Sequence, residues 1–63
     1  MRTLTNKQIA HIMDMHSMTW YIENGHIYGL IYYTSRNGRR GEEKTDLTGY
    51  TVNQMRDYLN YLF

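Results

Sequence analysis

Asn24-Gly25 lies between Thr19-Trp20-Tyr21-Ile22-Glu23 and a run from His26 to Thr34, both rich in aromatic and β-branched residues. Those residue types suit a pleated, half-buried surface, and Asn-Gly is the strongest two-residue hairpin signal because a type I′ turn needs positive φ at both central positions. Once the turn is set, the cross-strand pairs follow by counting outward. Glu23 faces His26, Ile22 faces Ile27, Tyr21 faces Tyr28, Trp20 faces Gly29 and Met18 faces Ile31. Side chains alternate between the two faces of a strand, so Met18, Trp20, Ile22, Ile27, Ile31 and Tyr33 share one face, with Gly29 leaving room for the Trp20 ring. Thr19, Tyr21, Glu23, His26, Tyr28, Leu30 and Tyr32 share the other. The first set is expected to build the core.

A second Asn-Gly, in Arg36-Asn37-Gly38-Arg39, predicts a second reversal, after which Gly41 to Leu47 can return as a third antiparallel strand. This segment is polar, which suits an edge. In the simplest register Glu43 lies opposite Tyr32, Thr45 opposite Leu30 and Leu47 opposite Tyr28, which adds apolar area to the second face. A slip of one residue reverses that assignment, because side chains repeat every two residues.

Each flank opens with the same device. Thr5 and Gln8 form a capping box with Leu4 and Ile9 as its hydrophobic staple, and Ile9, Ile12, Met13 and His16 follow at helical spacing, so a helix is predicted to run to about Ser17. Thr51 and Gln54 repeat the box and Tyr50 and Met55 the staple. The helix that follows has an apolar stripe of Met55, Tyr58, Leu59, Leu62 and Phe63, with Asn53, Arg56, Asp57 and Asn60 on its wet side. The expected architecture is α+β: helix, three-stranded antiparallel β-meander, helix.

At 63 residues the chain has room for one core, and residues 1–63 are read as a single small binding domain. So small a core, with no cysteine to cross-link it, predicts a marginal monomer or a homodimer. The absence of cysteine fits a reducing compartment, and neither a signal peptide nor an apolar stretch of about 18 residues is present, so the expectation is the cytoplasm, with no membrane partner. Seven Lys or Arg against six Asp or Glu leave a formal net charge of +1, too little for a global field that draws the chain to nucleic acid.

Catalytic and metal chemistry find little support. There is no cysteine, and the two serines, Ser17 and Ser35, sit in no nucleophile elbow. Glu42 and Glu43 are strand neighbours and point to opposite faces, so they cannot share a substrate. His11 and His16 lie roughly 140° apart around a helix and cannot share a metal. Glu23 and His26 read as a structural cross-strand pair, and the glycines stand singly at turns rather than in a phosphate-binding loop. No enzyme activity, cofactor or metal is expected.

Two features remain as candidate partner-binding elements. Arg36, Arg39 and Arg40 project guanidiniums from a hairpin tip, which suits phosphate or carboxylate contacts. Tyr21, Tyr28, Leu30 and Tyr32 make a surface that the second helix, a partner or water has to cover, and tyrosine is favoured at interfaces because its rigid ring carries a polar tip.

From about Trp20 to Leu62, a strand pair, the turn Gly38-Arg39-Arg40, a third strand and a helix from Val52 resemble in outline the arm-type DNA-binding domains of tyrosine integrases. The likeness rests on Tyr28, Tyr32, Tyr33, Gly38, Arg39, Arg40 and that helix, and it implies a three-stranded sheet presented to the major groove. The chain departs from it in an acidic third strand, with Glu42, Glu43 and Asp46. The brevity, the Tyr, Asn and Ile usage and the ending Gln54-Met55-Arg56-Asp57-Tyr58-Leu59 also look like small accessory proteins of bacteriophages of Gram-positive hosts. That resemblance implies stoichiometric inhibition of a host enzyme or defence nuclease, as anti-CRISPR proteins do. The leading expectation is therefore a non-enzymatic protein that docks on a host protein through the Tyr face and the Arg hairpin, with direct DNA binding and a homodimeric structural role as alternatives.

Overall fold

The computed structural model describes residues 2–62. Helix α1 (Asn6–Met15) leads into strands β1 (Thr19–Glu23), β2 (His26–Thr34) and β3 (Arg40–Asp46), and helix α2 (Val52–Leu62) follows. The strands form one antiparallel sheet in the order β1-β2-β3, so the chain is a small α+β fold with the expected element order.

Both capping boxes form. The Gln8 amide donates to Thr5 Oγ1 at 3.2 Å while Gln8 Oε1 accepts from the Thr5 amide at 2.9 Å, and Thr51 and Gln54 repeat the exchange at 3.2 and 2.8 Å. The helix starts lie side by side. The Leu4 amide donates to the Tyr50 carbonyl at 2.8 Å, and Thr3 and Thr51 form an isolated antiparallel bridge. Helix α1 stops two residues earlier than the sequence predicts: Ser17 takes a left-handed φ of 55°, its amide bonds the Asp14 carbonyl, and the Met18 amide bonds the Met13 carbonyl. That is a Schellman closure with serine where glycine is usual, and it leaves His16 exposed at the cap instead of on the apolar stripe. Ala10 is buried in its place, beside Ile9 and Met13. In α2, Met55 is buried and Tyr58 and Leu59 are half-buried; the Leu62 side chain and Phe63, the remainder of the expected stripe, lie outside the described residues.

The first hairpin pairs as counted, from Glu23 with His26 to Thr19 with Leu30, and Asn24 and Gly25 both have positive φ, 52° and 78°. The second closes differently. Thr34 pairs with Arg40, leaving Ser35 opposite Arg39 and a three-residue loop, Arg36-Asn37-Gly38, in which Gly38 alone has positive φ (81°). The Gly38 amide donates to the Ser35 carbonyl at 3.0 Å and the Ser35 amide to the Arg39 carbonyl at 2.7 Å. This is a type I turn followed by a left-handed residue, the usual three-residue hairpin loop. Asn37 spends its side chain on the loop, accepting from the Ser35 hydroxyl and, at 3.4 Å, from the Arg39 amide.

One residue of loop length moves every side chain of β3 to the other face. The expected register is therefore corrected: Glu42, not Glu43, faces Tyr32, Lys44 faces Leu30 and Asp46 faces Tyr28. Leu47 turns to the helix side, where its amide bonds the Ile27 carbonyl and its side chain is fully buried. The shift gives the edge strand an apolar anchor that the two-residue loop would have left on the outer face.

Ile9, Ala10, Met13, Ile27, Leu47 and Met55 are the buried core, with Leu4, Ile12, Met18, Trp20, Tyr50 and Tyr58 packed around it. Three expectations for this face need correction. The space over Gly29 belongs to α2, not to Trp20: a Cβ there would lie 2.6 Å from the Tyr58 hydroxyl and 3.0 Å from Leu47 Cδ1 and Met13 Cε. Trp20 instead packs at the margin, its indole N–H donating to Asp14 Oδ1 at 2.8 Å. Ile22 and Tyr33 remain 50% and 52% exposed. The nine residues of β2 extend for about 30 Å, whereas the ten of α1 span about 15 Å, so the two ends of the sheet overhang the helical layer. At the far end the Tyr33 ring lies over its partner Gly41, where a Cβ would collide with it.

Candidate functional site

Met13 of α1 and Tyr58 of α2 both reach Gly29 from the same side. The two helices thus share one face of the sheet, and the face bearing Tyr21, Tyr28, Leu30 and Tyr32 has no helix over it. Pairing places Thr19, Glu23, His26 and Thr34 there too, and the corrected register adds Arg40, Glu42, Lys44 and Asp46 from β3.

Tyr21 and Tyr28, directly paired across β1 and β2, stack with ring centroids 5.2 Å apart and an interplanar angle of 28°. His26 continues the stack at 6.3 Å from Tyr28. Lys44 lies across it, its Nζ 4.3 Å from the Tyr28 centroid and 5.5 Å from that of Tyr21, a cation over two electron-rich ring faces. Hydrogen bonding by Tyr21 is the main reason the Lys44 pKa is raised above its ordinary value, with desolvation opposing. Asp46 closes this end of the face. Its carboxylate accepts from the Thr48 amide at 3.0 Å and contacts His26 Nδ1 at 3.1 Å, and the Thr48 bonds, then His26, hold its pKa below the usual carboxylate value.

Toward the second hairpin the surface loosens. Leu30 is half-buried, while Tyr32 is 63% exposed beside Arg40, and a depression of about 420 Å³ lies among Tyr32, Tyr33, Thr34, Arg40 and Gly41. Arg40 shares the tyrosine face through its pairing with Thr34, whereas Arg36 lies in the loop beyond it and Arg39 at the loop's foot, opposite Ser35. Among the described residues no ion pair holds any of these three guanidiniums. The structure therefore joins Tyr21, Tyr28, Leu30, Tyr32 and Arg40 into one continuous surface and sets Arg36 and Arg39 at its end.

Sequence reasoning missed Lys44 and Asp46, because the two-residue loop turned them away from this face. The signal that could have found them is Leu47, which is apolar and belongs with Ile27. Charge on the strand portion of the face is nearly balanced, with Arg40 and Lys44 against Glu23, Glu42 and Asp46. Glu42 and Glu43 point to opposite faces, and among the described residues no cluster of three or more His, Cys, Asp or Glu could hold a metal ion. None of the described helices is long and apolar enough to cross a membrane. No family model, curated protein or solved structure matches the chain.

Proposed function

We propose that this chain is a non-enzymatic binding protein that docks stoichiometrically on a partner protein through its open sheet face. The supporting observation is that both helices pack on one side, which leaves a preorganised Tyr21–Tyr28–Lys44 stack, Leu30 and the exposed Tyr32 ring without intramolecular cover. Rigid tyrosines on a strand scaffold give up little entropy on binding, and mixed charge around an aromatic centre suits a protein surface better than a phosphate backbone. Given the likeness to small phage accessory proteins, the partner class we propose is a host protein such as a nucleic-acid enzyme or defence nuclease.

The test is affinity capture from a Gram-positive bacterial lysate with the wild-type chain and with Tyr28→Ala and Tyr32→Ala variants. A single host protein retained by the wild type and lost from both variants supports the reading; retention by all three chains would sink it. Direct DNA binding is the second reading, favoured by the uncovered three-stranded face with an arginine loop at its end. If Arg36, Arg39 and Arg40 each met a phosphate, log affinity would fall with log salt at a slope of about −3. The acidic residues among those of β3 predict instead no duplex binding at physiological salt in a gel shift. Light scattering across a concentration series separates a homodimer, which would bury the same face, from a monomer.

A further inference from the structure

On the opposite side of the sheet, α2 and β3 diverge to leave a cleft of about 380 Å³, large enough for one long side chain. Its aromatic lining is three tyrosines: Tyr50 just before α2, and Tyr58 and Tyr61 on the helix. Its charged lining is two carboxylates, Glu43 from the strand and Asp57 from the helix, and no Lys, Arg or His contributes. Neither carboxylate has an ion-pair partner among the described residues. The Tyr58 phenol registers the resulting field: burial raises its pKa first, and the Glu43 charge raises it further.

Ring faces and carboxylates both attract cations, and a planar guanidinium can use them together, stacking on a tyrosine while its N–H fork meets a carboxylate. We infer that this cleft is a second binding site, one that takes the guanidinium of an arginine side chain. An ammonium offers no plane to stack and no fork, so lysine is the weaker ligand. The site owes nothing to the tyrosine face across the sheet and stands or falls independently of it. It came into being with the three-residue loop, which turned Glu43 to the helix side opposite Ile31.

The probe is N-acetyl-arginine amide titrated into the full chain and followed by two-dimensional NMR, with the citrulline and lysine amides as a neutral near-isostere and a non-planar cation. Saturable shifts are expected at Tyr50, Tyr58 and Tyr61 with the arginine compound, weaker ones with lysine and none with citrulline. Glu43 and Asp57 are exposed, so the double variant Glu43→Gln, Asp57→Asn should fold as the wild type and bind about tenfold or more weakly. Absence of saturable shifts, equal response to citrulline or lysine, or unchanged affinity in the double variant would each overturn the assignment. A Tyr28→Ala chain should bind the arginine amide as well as the wild type does, which separates this site from the opposite face.

Discussion

The two faces of the sheet are built from the same three strands, yet one is covered by both helices and the other is left open. On the helix side Ile27 and Leu47 are fully buried and Gly29 is hemmed in by Met13, Leu47 and Tyr58. On the open side no described residue is buried, and the surface is aromatic and charged. Strand alternation turns Ile27 to the helices and Tyr21, Tyr28 and Tyr32 away from them, so burial is concentrated on one face and uncovered aromatic surface on the other. Aromatic content in this chain marks the outside of the fold more than its inside.

The largest effect should come from breaking the covered face. Leu47→Ala removes a fully buried side chain and should cost about 2–5 kcal/mol, enough to unfold so small a domain, whereas Tyr32→Ala on the open face should change stability by no more than about 0.5 kcal/mol. Urea unfolding of the two variants measures the contrast, and equal losses would mean that the faces are not divided as described.

Gly29→Ala should cost about 1–3 kcal/mol, because its Cβ meets the Tyr58 hydroxyl first. That hydroxyl is buried with no hydrogen-bond partner in reach of good geometry, although Thr45 lies near enough to oppose the rise in its pKa. Tyr58→Phe should therefore be neutral or stabilising by up to about 1 kcal/mol, and combined with Gly29→Ala it should recover part of the alanine's cost. Strict additivity in the double-mutant cycle would place the collision elsewhere. The raised Tyr58 pKa also has a sign: its contribution is intact below the phenol's ordinary value of 10.0 and is lost as pH rises through the higher folded value.

On the open face the carboxylate with a shifted pKa is Asp46. Its lowered pKa makes a stabilising contribution that is present above the ordinary value of 3.8 and disappears as pH falls through the lower folded value. The group is exposed, so the effect is small. Melting curves between about pH 5 and pH 2 should drop less steeply for Asp46→Asn than for the wild type, and parallel curves would remove Asp46 from the network with Thr48 and His26.

The smallest change tests what assigns the faces. Deleting Arg36 leaves Asn37-Gly38 as a two-residue turn between Ser35 and Arg39, which preserves the native pairing of Thr34 with Arg40. The deletion should shift stability by less than about 1 kcal/mol and leave the β3 amide resonances near their native positions. Loss of the fold would show that the loop's own hydrogen bonds, and not its register, hold the second hairpin.

Much of this was legible in the sequence. Both capping boxes, the first hairpin and the face of Tyr21, Tyr28, Leu30 and Tyr32 follow from local rules, because caps and two-residue turns act within a few bonds. The register of β3 did not, since Asn-Gly fits a two-residue I′ turn and the end of a three-residue loop equally well, and only burial of Leu47 against Ile27 and Met55 decides between them. Ile22 and Tyr33 were misplaced for a similar reason: alternation assigns a side, whereas the length of helix available to cover that side is a tertiary quantity. The cleft of Glu43 and Asp57 was unreadable because it joins a strand residue whose face was wrong to a helix residue counted as wet.

The bridge between Thr3 and Thr51, with the Leu4–Tyr50 hydrogen bond beside it, also bears on how fast the chain folds. The meander can form from neighbouring segments in about the microseconds typical of hairpins, but the seam joining the two helix starts waits until nearly the whole chain has been gathered, at the entropic cost of a long loop. Closure is thus expected to come late. Stopped-flow refolding followed through Trp20 should then find that Leu4→Ala mainly accelerates unfolding while Ile27→Ala slows folding, with the reverse pattern placing the seam in the nucleus. A protein stitched shut by its most distant parts opens there first.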